Sequence, residues 1–215
     1  MHCFKWLKML LAALCLTVVI PALAVASISY YLDTPQTGSS SLTQGTNYLQ
    51  VTISEGLAGA IDFEIDVLTD AFPTPLAANF GMDKFSFNYA PASLNVGVNN
   101  ITNLNPDSWK VNMSGQDNGF GTFDLTTFGT TNIKTTLLLT FSITGVNNDT
   151  IESYAVGNTD GGKFFAAHVA GYKINESTET SATIAGSTPV PLPNALWLLG
   201  SGLVCLMGIR RRKNR

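Results

Sequence analysis

Nucleophilic catalysis needs a nucleophile with a base in reach, and the central stretch of this 215-residue chain holds few candidates. Between residues 27 and 189 there is no cysteine and one histidine, His168. No serine sits in a Gly-x-Ser-x-Gly elbow. If Phe164–Val169 is a strand, His168 shares a face with Phe164 and Ala166 and is expected to be a structural residue with a satisfied hydrogen bond. A single histidine makes no zinc site without carboxylates. Asp62, Glu64 and Asp66 alternate with Ile61, Phe63, Ile65 and Val67, which places the acids on one strand face about 7 Å apart. Such a pair could serve glycoside hydrolysis. A solvated negative face is the plainer expectation, because any alternating acidic strand has that spacing. Calcium would take oxygen ligands from Asp117-Asn118-Gly119, Asn147-Asn148-Asp149 or Asp160-Gly161-Gly162. Ordinary turn chemistry explains those residues equally well, and no EF-hand run is present. The expectation is therefore no catalytic residue, no metal ligand and no cofactor, with calcium the one ion to weigh. Trp109 and Tyr172 are the candidate sugar platforms should they be exposed; burial is the expectation for Trp109.

The elements that must position these residues read as all-β. Phe85, Phe87 and Tyr89 alternate with Lys84, Ser86 and Asn88. Leu137, Leu139, Phe141 and Ile143 alternate with Thr136, Thr140 and Ser142, and Leu138 breaks the polar face. Leu137 is expected inside with its three partners. Turn clusters such as Pro73-Thr-Pro75, Asn105-Pro-Asp107 and Gly115–Gly119 separate the runs. Short strands at this spacing indicate an antiparallel β-sandwich over 27–174. Residues 175–189 hold seven hydroxyl residues in Asn175–Thr188 and read as a Ser/Thr-rich linker, with a final strand around Ser181–Ala185 as the alternative.

Charge is distributed unevenly. The stretch 27–189 carries 5 lysines and all 15 acids, or 5 − 15 = −10, while the whole chain carries −3. An acidic body argues against nucleic-acid binding, which needs cations to replace phosphate counterions. The cations gather at the ends. Lys5 and Lys8 precede the uncharged run Met9–Ile20, and Ala24-Val25-Ala26 offers small residues for cleavage before Ser27, with cleavage after Ala24 as competitor. Residues 1–26 thus read as a signal peptide. Cys15 follows Leu14, where lipoprotein processing wants a small side chain, so lipidation is not expected.

The other end has three ordered parts. Val190, Pro191, Leu192 and Pro193 come first. An uncharged run follows from Ala195 through Trp197, Gly200 and Gly202 to Ile209, and Arg210, Arg211, Arg212 and Lys213 close it. As a helix the apolar run reaches roughly 22 Å, short of a ~30 Å hydrocarbon core, a gap that snorkelling arginines can cover. The positive-inside rule keeps the basic cluster cytoplasmic and residues 27–190 outside.

This tail resembles the PEP-CTERM sorting domain, in the variant that begins Val-Pro-Leu-Pro-Ala; Asn194 departs from the usual alanine. The resemblance implies recognition by an exosortase, an inner-membrane precursor, and release to the cell surface or matrix of a Gram-negative, exopolysaccharide-making bacterium. Gly119–Asp124 and Phe164–Tyr172 also resemble segments recurring in short proteins of that kind. The layout resembles, as architecture only, cohesin-like and carbohydrate-binding-module-like jelly-roll sandwiches. The expected function is non-catalytic, binding exopolysaccharide or a surface protein or serving structurally. The alternative is an extracellular glycan hydrolase using carboxylates.

Overall fold

A computed structural model describes residues 26–38, 41–130, 135–175 and 178–190. The expected signal peptide through residue 25, and the sorting tail from Pro191 with its transmembrane helix and basic cluster, lie outside the described residues. Among the described residues no helix is long and apolar enough to cross a membrane.

Among the described residues twelve strands follow one another. They are β1 (Ser27–Leu32), β2 (Thr34–Pro35), β3 (Leu49–Glu55), β4 (Ile61–Val67), β5 (Gly81–Phe87) and β6 (Ile101–Asn105), then β7 (Trp109–Asp117), β8 (Gly121–Gly129), β9 (Leu138–Ile143), β10 (Phe165–Asn175), β11 (Thr178–Gly186) and β12 (Thr188–Pro189). They build two six-stranded sheets. Sheet A has the order β12-β1-β3-β4-β9-β6 and sheet B the order β2-β11-β10-β5-β8-β7. All pairings are antiparallel. The expected antiparallel sandwich is therefore present.

The inner faces meet in one aromatic core. Phe63 of β4 stacks on Phe141 of β9 at 4.6 Å between ring centroids and lies 5.0 Å from Phe87 of β5 in the opposite sheet. Ile61, Phe63, Ile65 and Val67 are all buried, as period-2 alternation requires of a strand with one wet face. Leu139, Phe141 and Ile143 are buried beside them.

Leu137 corrects the sequence reading, since it is 47% exposed. The β4–β9 ladder ends at Asp66 and Leu138, one residue short of it. Its carbonyl accepts a hydrogen bond from Val67 N, 2.9 Å, while its side chain stays outside. For the segment read as a linker, the alternative of a final strand around Ser181–Ala185 is the one present, and the strand is longer. Residues 178–186 form β11, paired along β10 on one side and to β2 on the other. Ala182, Ile184 and Ala185 are buried there.

Sheet B is covered on its outer face as well. Ser114 adopts a left-handed backbone (φ 61°) in the middle of β7, and β7 and β8 turn as one hairpin over β5 and β10. A Cβ on Gly115 would run into the Thr126 hydroxyl, so only glycine fits at this bend. Phe123 of the hairpin packs on Ala166 and Ala185, small residues on the face away from the main core. Small side chains there leave room for the covering strand.

Candidate functional site

The acidic strand was the first sequence-level candidate, and the fold places it on the outer face of sheet A. Register aligns Ser54 of β3, Asp62 of β4 and Ser142 of β9 in one row. Thr52, Glu64 and Thr140 form the next row. A bulge in β6 aims Asn103 (φ 53°) back at these rows, and its Nδ2 donates to Ser142 Oγ at 3.3 Å. The result is an open groove of about 330 Å³ lined by Ser54, Asp62, Glu64, Asn103, Thr140 and Ser142. Asp66 continues the acidic row opposite Leu138 but does not line the groove. Glu64 is exposed and Asp62 half-buried. This is an array of carboxylates, hydroxyls and one amide, suited to hydrogen-bonding a hydroxylated ligand.

His168 projects from the outer face of β10, as its position in the alternation required. Its Nδ1 lies 2.7 Å from Asp83 Oδ1, and both side chains are about 30% exposed. One strand away, Lys84 Nζ lies 2.9 Å from Asp117 Oδ1 and also donates to Gln116 O. Asp117 is almost wholly buried, and among the described residues its Oδ2 has no hydrogen-bond partner. This ion pair holds the overlying hairpin to β5. Asn158 and Asp160 hold the same turn end of the hairpin from the other side: Asn158 Nδ2 donates to Phe120 O, and Asp160 Oδ2 accepts from Thr122 N at 3.2 Å.

The three turn clusters weighed for calcium are thus engaged internally. Asp117 serves Lys84, Asp160 serves Thr122, and Asp149 Oδ2 accepts the Tyr154 hydroxyl at 2.7 Å. Among the described residues no three His, Cys, Asp or Glu side chains gather as a metal site.

The two candidate sugar platforms are both interior. Trp109 is 4% exposed and Tyr172 is 0% exposed, packed 5.6 Å from Phe72. Each turns into the core at a sheet end, where a large ring gains most from leaving water. Burial also pushes up the hydroxyls of Tyr30, Tyr89, Tyr154 and Tyr172 from their ordinary value; for Tyr154 the bond to Asp149 adds to it.

The sorting segment joins the body without a spacer. Thr188 and Pro189 pair with Tyr31 and Tyr30 of β1, and Val190 N donates to Ser29 O at 2.8 Å. Thr188 Oγ1 also donates to Asp33 Oδ2 at 3.1 Å. Val190 is the last of the sorting residues that the structure describes; Pro191, Leu192, Pro193 and the anchor and basic residues beyond lie outside it. Fold and tail together define an antiparallel sandwich delivered as the cargo of a C-terminal address. That address is a PEP-CTERM protein-sorting motif, matched by its family model over residues 189–213. The motif marks an exported, cell-surface-directed protein with an exosortase as its processing partner. No curated protein and no solved structure matches the chain.

Proposed function

We propose that this protein is a non-catalytic component of the cell surface or exopolysaccharide matrix. It is held first in the inner membrane by its tail, then cut by the exosortase. The sandwich binds a hydroxyl-rich polymer along the outer face of sheet A. The observation that carries this reading is the motif that starts within the body's own last strand, which makes the whole sandwich the exported cargo. The polar groove at Asp62, Glu64, Asn103 and Thr140 supports the binding role, because polyol recognition rests on such convergent donors and acceptors. The body needs no cofactor in this role.

One observation favours a hydrolase instead: Asp62 and Glu64 share that groove. The two readings separate in one assay. The purified body, residues 26–190, is incubated with the producing organism's exopolysaccharide, and retention and chain length are both followed. Retention without shortening supports the binding module, and Asp62→Asn with Glu64→Gln should weaken it. Shortening that vanishes when either carboxylate becomes an amide would establish the hydrolase. Neither effect would leave a structural or protein-binding role.

A further inference from the structure

One end of sheet A gathers four features that the sequence scatters. Ala26, the first described residue, lies there, because Ser27 pairs with Ser54 and Glu55 N donates to Ala26 O at 3.0 Å. Val190, the last described residue before the tail, lies on the same edge and heads the same way. β12 runs antiparallel to β1, and Val190 N has already reached Ser29 O. The β3–β4 turn, Gly56–Ala60, projects from this end and carries Leu57, the most exposed large apolar side chain at 93%. The turn before β6 carries Val98, 41% exposed, and belongs to the same end because Ile101 pairs with Ile143, the partner of Ile61. Leu57 and Val98 are separated by about two strand spacings, roughly 10 Å.

The chain outside the description joins at this end. Before Ala26 come 25 residues dominated by an apolar run, and after Val190 come 25 residues with another. The turns 56–60, 97–100 and 144–149 contain no lysine or arginine. Any surface they meet must therefore be met through apolar contact and not through attraction to anionic headgroups. Leu137 and Leu138 are exposed at the opposite end of sheet A, but no terminal segment joins there.

We propose that this end of sheet A is a membrane-facing surface: in the precursor, the tip at Leu57 and the turn at Val98 rest in the headgroup interface of the bilayer that holds the tail. The inference deepens the proposed function and rests on its reading of residues 195–209 as membrane-held. Tethering supplies a high local concentration of bilayer, so two modest apolar contacts suffice to set the orientation of the body. The occupant is the lipid surface. Residues 189 and 190 are thereby brought, already strand-paired, to the depth at which a membrane-embedded protease works.

The test uses the signal-cleaved precursor, residues 27–215, with Cys205 replaced by Ser, in vesicles of phosphatidylethanolamine and phosphatidylglycerol. An environment-sensitive dye is placed by Leu57→Cys, Val98→Cys or, at the far end, Asp70→Cys. Co-flotation reports the tail, and quenching by lipid-borne nitroxide reports the body. Flotation with quenching at 57 and 98 at least about twofold above that at 70 is expected for interfacial burial, and high salt should not reduce it. Leu57→Asp with Val98→Asp should bring quenching of the dye at a third position, Ala58→Cys, down to the level at 70 and leave flotation intact. Flotation with equal quenching at all sites overturns the inference and spares the membrane-held tail. Failure to float defeats the tail reading and this inference with it. Quenching that appears only when exosortase is added overturns the lipid surface in favour of a protein partner.

Discussion

At the scale of single residues, burial decides what each side chain is for. Phe141 is 2% exposed and stacks on Phe63. Phe141→Ala should cost about 3–5 kcal/mol in urea melts, whereas Glu64→Gln on the wet face should stay within about 0.5 kcal/mol. Lys84→Met should cost about 2–3 kcal/mol, because it strands the buried Asp117 carboxylate; Lys84 keeps some water, which sets the figure toward the low end of buried pairs. Four tyrosines have their hydroxyls raised by burial, so the folded state favours the neutral phenols. Their contribution is intact below the ordinary tyrosine value of about 10 and is lost as pH climbs past it. Stability measured from about pH 8 to 11 should be flat and then fall. In Tyr154→Phe the fall should be shallower. The alternation around Phe63 was legible because one strand with one wet face writes its burial directly into sequence. The partner of His168 was not, since Asp83 is 85 positions away and comes into reach only through the β5–β10 register.

At the scale of elements, the informative failure is β11. Its Ser, Thr and Ala content reads as a solvated linker when composition is weighed alone. Threonine is also a good strand former, Ala182 turns into the main core with Ile184, and alanine at 185 is what a strand needs when a second layer lies close above it. That layer is the β7–β8 hairpin, whose Phe123 seats on Ala166 and Ala185. The two segments that resembled recurring stretches, Gly119–Asp124 and Phe164–Tyr172, are the two sides of this contact. No local pattern reports it, because the bend depends on one backbone angle at Ser114 and one missing side chain at Gly115. Ile184→Ala should therefore cost about 2–5 kcal/mol, far more than any linker substitution. Removal of residues 178–190 should abolish cooperative unfolding in a thermal melt. A shortened body that still melts sharply would show β11 to be dispensable.

At the scale of the whole molecule, processing at both ends is the central expectation. The Ala24-Val25-Ala26 site and the sorting motif at 189–213 predict a mature chain that begins near Ser27 and lacks Trp197 to Arg215. Intact mass of extracellular material checks this, and a basic tail on released protein would count against it. The topology adds a matter of timing. The first strand of the body pairs with the last in sheet A, and the second pairs with the last but one in sheet B. Both sheets are closed by residues 178–190, so neither can be completed until nearly the whole body has been threaded across the membrane. The early strands β1, β3 and β4 can pair among themselves as they emerge, whereas β12 on β1 and β2 on β11 can be laid down only once the last residues of the body have followed.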